Sequence, residues 1–386
     1  MPPELADDLL GEILLRLPPD DPACLLRASL ACKRWRRILA DPVFRRRHRE
    51  IHRAPSVVGF LGIVSGNVPY CSRFVPNNPA SGRLAGRDLP GWLVSDCRHG
   101  RALFVTPAQG PDTEGDLDFV VWDPLTDERR RLPPPSPTPT VTTRFNAAVL
   151  CSATAVGGCD HRGCHGGPFR AVFVFTTWTS AGWVTSARVY SSETDDWSEP
   201  TSIQQHPYVH VHIDPSPCPS ALVGDTLYFR GSHRYAIEYQ LGAQRLSVID
   251  QPPWCMYKGG LMFLMPLEDS VLGLAEVEEE PSLSLCLWSR ETSPDGVMQW
   301  ARGRAIELEM LLPYAALPPQ RLAFDGSRWI QDVDIVGFAE GTDIILVGFD
   351  HDVYMIELNS RRSKKVFDHF TCVVPYTSFS VPGIAS

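Results

Sequence analysis

Prolines and glycines interrupt this chain so often that no long helix can form over most of its length. There are 35 prolines and 29 glycines in 386 residues. Proline, at about twice its usual share, removes backbone donors and clashes with the preceding helical turn. After residue 54, short runs of β-branched and aromatic residues are separated by Gly, Pro and Asp turns. The sequence therefore predicts a large all-β domain over residues 54–386.

The charge distribution and the apolar runs exclude two classes of protein. Residues 1–53 hold 11 Lys/Arg against 8 Asp/Glu, whereas residues 54–386 hold 25 against 37, a net charge of −12. Such a domain is a poor match for nucleic acid, whose binding depends on neutralising phosphates. The longest uncharged run, 54–72, is broken by proline and glycine, so no transmembrane segment is predicted.

Two further features indicate an intracellular protein. The first eight residues are acidic and lack the basic and apolar regions of a secretory signal. The 11 cysteines are an odd number without framework spacing, which is typical of reduced thiols. We therefore expect a cytoplasmic or nuclear protein, or one found in both places, with neither a membrane nor nucleic acid as partner.

The first fifty residues predict a small helical unit. Apolar residues recur at helical spacing over 7–17. Asp21 and Pro22 open a second predicted helix, which should run to about Asp41, and a short third helix is expected over 43–50. Three short helices leave apolar side chains uncovered, so the unit should either bind a partner or pack as a cap on the next domain.

The same residues resemble the F-box motif. The similarity rests on the leucine-rich first helix, the Leu17-Pro18 turn and the segment 32–36, although Ala6 stands where that family usually has proline. The resemblance implies that residues 1–53 dock on the Skp-type adaptor of a cullin-based SCF ubiquitin ligase. It assigns adaptor binding, or the holding together of the helices, to Leu5, Leu9, Ile13, Leu17, Pro18, Leu25, Cys32 and Trp35.

Basic residues also cluster on these predicted helices, at 33–34, 36–37 and 45–47. Such a cluster is compatible with a nucleic-acid patch or a nuclear signal. Because the basic positions alternate with core positions, the pattern favours a solvated helix face.

A repeated unit is the stronger signal in residues 54–386. In each copy an apolar strand leads to a polar turn and then back to an apolar residue. The markers of the unit, at intervals of 68, 49, 49 and 68 residues, are Trp122, Tyr190, Tyr239, Trp288 and Ile356. Gly224, Gly273 and Gly341 each lie 15 residues before a marker, which predicts a turn glycine that opens the preceding strand. A period near 50 is typical of four-stranded propeller blades.

A weaker unit at Tyr70 brings the markers to six and makes a six-bladed β-propeller the predicted fold. The poorly patterned stretch 144–184 leaves room for a seventh blade, and an irregular β-sandwich is the competing fold. Residues 57–61 are a candidate strand for closing the ring with the other end of the chain.

The whole chain is similar to a plant group of F-box proteins with a kelch-like or F-box-associated β domain. This second resemblance rests on looser motifs at 122–126, 190–193 and 373–376. It implies an F-box over 1–53 and a substrate-recognition propeller over 54–386.

The sequence contains no P-loop, zinc-protease helix, nucleophile elbow or dinucleotide fingerprint. One group of candidate zinc ligands is Cys159, His161, Cys164 and His165. A second group is His206, His210, His212 and Asp214. The spacing of the first group fits neither zinc fingers nor zinc ribbons, so a hydrogen-bonded loop is favoured there. The second group is more typical of an exposed, polar strand face, and no metal or other cofactor is expected.

Together these observations predict a non-catalytic subunit that brings a target protein to the ligase. The target is not identified, and its possible contacts are His99, Arg101, Arg144, Trp178, Trp183 and Arg234. Two alternatives stay open. One is an F-box scaffold that acts without degradation, and the other is a carbohydrate-active propeller with carboxylates recurring at its central channel.

Overall fold

A computed structural model gives the architecture of the protein. The residues that it describes are 5–17, 22–51, 56–64, 71–77, 86–107, 117–135, 144–153, 164, 167–180, 182–204, 218–231, 235–250, 252, 263–267, 271–278, 282–312, 321–322, 328–329, 333–349, 352–368 and 370–378.

The described part of the first fifty residues forms four helices: α1 (Asp7–Leu15), α2 (Pro22–Ala31), α3 (Lys33–Ala40) and α4 (Pro42–Ile51). The prediction of three helices was wrong because the second helix is broken at Cys32. This residue has extended backbone angles, and its Sγ accepts a hydrogen bond from the backbone N of Trp35 at 3.5 Å. Cys32 thus caps α3, which packs against the other three helices. No helix among the described residues has the length and hydropathy of a membrane span.

The rest of the described chain is built from strands. They begin with β1 (Ser56–Val64), β2 (Cys71–Pro76) and β3 (Arg87–Pro90). A second group comprises β4 (Val94–Arg98), β5 (Arg101–Pro107), β6 (Leu117–Trp122) and β7 (Arg129–Leu132). The third comprises β8 (Arg144–Cys151), β9 (Phe169–Thr179), β10 (Gly182–Ser191), β11 (Asp196–Trp197) and β12 (Thr201–Gln204). The fourth comprises β13 (Ala221–Val223), β14 (Thr226–Arg230), β15 (Tyr235–Gln240) and β16 (Arg245–Asp250).

The fifth group comprises β17 (Phe263–Pro266), β18 (Leu272–Glu278), β19 (Ser284–Thr292) and β20 (Met298–Glu307), followed by a short 3-10 helix, Leu308–Met310. A small hairpin follows, with β21 (Arg321–Leu322) and β22 (Arg328–Trp329). The last strands are β23 (Val333–Ala339), β24 (Ile344–Phe349), β25 (Asp352–Glu357), β26 (Arg362–Asp368) and β27 (Phe370–Ser378).

These strands form a six-bladed β-propeller, which confirms the predicted fold. Each blade is an antiparallel sheet; in five of them the strands lie in chain order, and the third blade adds β12 to the edge of β10. The first strands of neighbouring blades approach one another around the axis, including β4 with β8 and β23 with β27. The stretch 144–184 therefore contains strands of the third blade, where the sequence left room for a seventh.

The two ends of the β domain share one blade, whose strand order is β27-β1-β2-β3. In this blade Leu61 lies opposite Val374, and on its other side Leu61 lies opposite Phe74. The prediction that residues 57–61 help to close the ring is confirmed. Because β27 contacts the first strands of both adjacent blades, its pairing with β1 holds the ring shut.

The sequence markers occupy one equivalent place in the fold. Trp122, Tyr190, Tyr239, Trp288 and Ile356 all lie on the third strand of a blade and are buried. Tyr70 lies outside the described residues, directly before β2, the third strand of the shared blade. In four blades the residue five positions after the marker has a left-handed backbone, at Asp127, Asp195, Gln244 and Arg361. The hairpin between the third and fourth strands is thus the repeated local structure.

The three predicted turn glycines differ in the structure. Gly224 and Gly341 lie in turns between the first and second strands of their blades, with φ angles of +61° and +73°. Both conformations favour glycine. Gly273 does not lie in a turn: it is the second residue of β18, where a Cβ would collide with the side chain of Leu267. Glycine is needed at this position because the Leu267 side chain packs directly against its backbone.

Aromatic pairs join neighbouring blades across the layers between them. Phe74 meets Trp122 edge-on at 5.9 Å between the first and second blades, and Phe119 meets Phe173 at 4.9 Å between the second and third. Because neighbouring blades cover both faces of each blade, its inner strands consist largely of consecutive apolar residues.

Candidate functional site

The first helix exposes a stripe of apolar side chains. Leu5, Leu9 and Ile13 are 49%, 54% and 49% exposed, and their spacing of four residues places them on one face. The opposite face carries Leu10, Leu14 and Leu15, which are buried. Three exposed aliphatic residues in line form a contiguous apolar surface, which is typical of a protein-binding face. We call these three residues the α1 stripe.

Other residues assigned by the F-box resemblance hold the helices together. Leu25 is 2% exposed and lies in the helical core with Leu14. Leu17 and Trp35 are partly buried and pack against that core. Cys32 is exposed and caps α3. Pro18 lies outside the described residues.

Ion pairs attach α1 to the basic helices. Asp7 accepts from Arg34 at 2.5 Å and from Arg37 at 2.8 Å, and Glu12 pairs with Arg47 at 2.5 Å. The hydrogen bond from Arg34 lowers the pKa of Asp7 below its usual value. The basic cluster of the sequence is therefore in part a partner for the acidic face of α1, which matches the expected solvated helix face.

Two of the predicted target contacts have structural roles in the propeller. His99 lies in a turn, and its Nδ1 accepts a hydrogen bond from the backbone N of Cys151 at 3.0 Å. Arg101 is buried, donates to the backbone oxygen of Cys164 at 3.2 Å and lies over the ring of Phe169.

The other predicted contacts lie at the periphery or outside the described residues. Arg144, Trp178 and Trp183 lie together at the tip of the third blade. Arg234 lies outside the described part of the chain.

An ionic cluster that the sequence did not reveal crosses the propeller axis. Arg98 on β4 pairs with Asp96 on the same strand and with Glu340, which follows β23. It also donates to the Oγ of Ser220 at 3.0 Å, so one side chain connects three blades. The Arg98 and Asp96 side chains are almost fully buried. Both carboxylates neutralise this guanidinium; Asp96 is buried with it, whereas the Glu340 side chain is 27% exposed.

The candidate zinc ligands are only partly covered by the structure. Cys164 is half-buried, and its carbonyl accepts from Arg101 and Gly167. The other three of that group, and the whole histidine group, lie outside the described residues. Within the described ranges no cluster of three or more metal-ligating side chains occurs.

Family comparisons match both parts of the chain. A model of the F-box domain matches residues 3–47. A second model, described as the β-propeller of AT5G49610-like F-box proteins, matches residues 93–377. The chain belongs to this family of F-box proteins. The α1 stripe and the helical core under it both lie within the matched F-box.

Comparisons outside the family add no argument about function. No curated protein matches this F-box protein. Among solved structures, TolB from Acinetobacter baumannii is 10% identical with a TM-score of 0.43, covering 86% of this chain and 70% of TolB. A structure from a study of two prolyl endopeptidases is 11% identical with a TM-score of 0.38, covering 78% and 38%. The WD40 domain of SCAP from fission yeast is 10% identical with a TM-score of 0.33, covering 74% and 57%.

The structure also adds one residue to the exposed F-box surface. Leu30, near the end of α2, is 74% exposed, although the motif did not assign it to adaptor binding. A helical wheel places Leu25 and Leu30 on different faces of α2, but which face is covered depends on the other helices.

Proposed function

We propose that this F-box protein is a non-catalytic substrate receptor of an SCF ubiquitin ligase. In this proposal residues 1–53 dock on a Skp-type adaptor, and through it on cullin, while residues 54–386 bind a target protein. The proposal is carried by the α1 stripe, an exposed apolar face on a helical unit that also has a buried apolar core of its own. Such a face is stabilised when a partner covers it.

The contribution of this protein to ubiquitin transfer is proximity. Holding a target beside the charged ubiquitin carrier raises the effective concentration of its lysines, and the bond-making residues belong to other subunits. This role needs no cofactor. A non-catalytic role is further supported by Asp96, since this axial carboxylate is buried and paired with Arg98.

The proposed partners are therefore proteins only. The acidic composition of residues 54–386 opposes binding to nucleic acid or to an anionic membrane surface. Cytoplasmic and nuclear locations both suit this role. The kelch-like type and a plant source stay predictions.

Co-expression with a Skp-type adaptor tests the docking assignment. Wild type should elute from size exclusion as a one-to-one complex, and the double variant Leu9→Arg with Ile13→Arg should lose the adaptor. Both residues are exposed, so the propeller and helices should keep their circular dichroism. A matched control is Ile51→Arg, which places the same charge at an exposed aliphatic residue outside the matched F-box. Capture by the double variant would refute this docking face.

A further inference from the structure

The hairpin of β9 and β10 projects beyond the strands on either side of it. The inner strand β8 begins at Arg144, which pairs with Thr176, and the outer strand β12 ends at Gln204, which pairs with Val184. Beyond those pairs, Trp178 and Trp183 face each other across the hairpin. Among the described residues, no strand of this blade flanks the tip.

The two tryptophans continue a core face out into solvent. Along β9, Val172, Val174, Thr176 and Trp178 point to one side of the sheet, and the first three are buried. Val172 and Val174 pack in the core between the third and fourth blades. Trp178 is 64% exposed, so the apolar face of β9 is buried between these two blades at Val172 and Val174 and exposed to solvent at Trp178.

Contacts within the tip fix the orientation of the rings. The rings of Trp178 and Trp183 meet edge-on with centroids 5.1 Å apart, and the Arg144 guanidinium lies 6.0 Å from the Trp183 centroid. Below them the hydroxyls of Thr176 and Thr185 bond at 3.0 Å. A rigid aromatic side chain loses little entropy when it is covered, which makes it an effective binding contact.

Other indoles in the described residues are tied to the fold. Four of them donate their N–H groups within the protein: Trp122 to Asp127, Trp197 to the Pro133 carbonyl, Trp288 to Glu276 and Trp300 to the Asp250 carbonyl. Among the tryptophans whose burial is described, Trp178 alone is exposed. Its exposure is thus a distinct property of this hairpin.

The composition of the hairpin defines the chemistry of its partner. From Ala171 to Ala187 the sequence has no charged residue, in a chain that is 21% charged. A basic side chain buried against the two rings would lose water and be repelled by the Arg144 guanidinium, 6.0 Å from the Trp183 centroid. An acidic side chain would lose water and gain only that guanidinium, which already lies over the Trp183 ring. An apolar side chain would instead complete the core face that ends at Trp178.

We propose that the Trp178–Trp183 pair is the anchor site for the target protein, and that it receives an uncharged apolar side chain from a linear segment of that target. This inference rests on the proposed function, because it names the surface and the class of segment that the receptor would bind. The anchor is an aliphatic, proline or aromatic side chain.

A phage library of random linear peptides, selected on the full-length protein, tests this site. Selection should enrich peptides with one apolar anchor, and Trp178→Ala should weaken the best peptide at least about tenfold. Replacing the anchor by Lys or Glu should abolish binding. Met310→Ala is the matched control, because Met310 is 79% exposed and lies after the fifth blade.

Each result has a defined meaning. Equal affinity for wild type and Trp178→Ala, a charged anchor, or no enrichment on wild type over Trp178→Ala would overturn the site. Thermal melting of Trp178→Ala should match wild type, since the ring is exposed. The Leu9→Arg, Ile13→Arg variant should keep the peptide and lose the adaptor, whereas Trp178→Ala should do the reverse. Failure of the docking proposal and failure of the anchor site are therefore separable.

Discussion

The hydroxyl of Tyr376 lies 3.1 Å from the Oδ1 of Asp123, across 253 residues of sequence. It is also 3.1 Å from the carbonyl oxygen of Gly100. Tyr376 is on β27, and Asp123 follows β6, so the contact joins the closing blade to the second blade. Burial raises the pKa of Tyr376 well above its usual value, so its hydroxyl remains a donor into alkaline solution. The sequence motifs at 122–126 and 373–376 thus contact each other where the closing blade meets the second blade.

Removing this hydroxyl should weaken the closure of the ring. Tyr376→Phe leaves the packing intact but deprives the Gly100 carbonyl and the Asp123 carboxylate of a donor. We expect the free energy of unfolding to fall by about 1–3 kcal/mol, measured by urea denaturation. Tyr354→Phe, a buried tyrosine of the sixth blade away from this seam, is the control. Equal losses in both variants would contradict a specific role for the Tyr376 hydroxyl.

The two faces of α1 should respond differently to truncation. Leu14→Ala removes a fully buried side chain and should cost the helical unit about 2–5 kcal/mol, because a cavity remains. Leu9→Ala removes an exposed side chain and should change stability by less than about 0.5 kcal/mol. Hydrogen exchange of the α1 amides measures both changes. Comparable losses would mean that Leu9 also belongs to the core.

The axial ion cluster should give the protein a pH-dependent stability. Burial raises the pKa of Asp96 to about 6, although the charge of Arg98 opposes this change. Among the described residues, the Oδ1 of Asp96 has no hydrogen-bond partner. Because the folded pKa exceeds the unfolded one, the stabilising contribution is complete below about pH 4 and is lost as pH rises through 6.

Comparison with Asp96→Asn isolates this effect from the other carboxylates. The unfolding free energy of wild type, relative to the variant, should fall by roughly 2 kcal/mol between pH 4 and pH 7. Urea denaturation across this range provides the measurement. A constant difference would show that Asp96 ionises normally in the folded protein.

Relief of backbone strain should stabilise the fourth blade. Gln244 has a φ of +48° in the turn before β16, a conformation that costs a side-chain-bearing residue about 1 kcal/mol. Gln244→Gly should raise the midpoint of urea denaturation, and Gln244→Val should lower it because a branched Cβ tolerates this region least. Gln240→Gly, on the preceding strand, is a control and should be destabilising.

Local sequence patterns predicted much of the architecture. The five buried markers lie on equivalent third strands because each hairpin needs a large residue before its turn, and this requirement recurs with the repeat. The helical unit was also predicted, but the F-box resemblance did not separate the residues that face a partner from those that only pack. The break at Cys32 was missed because the residues around it have helical spacing, and the cap depends on a thiol contact to Trp35.

By itself the sequence determined the helical unit, the β repeat, the closing strand and the absence of charge from the β9–β10 hairpin, since these follow from spacing and composition along short segments. Only the tertiary structure decided that Leu25 is core while Leu9 is exposed, that Arg98 connects three blades, and that Trp178 emerges from a buried face. The physical reason is that burial and ion pairing depend on which distant segments cover a residue. In a propeller, those segments come from neighbouring blades and from the opposite end of the β domain.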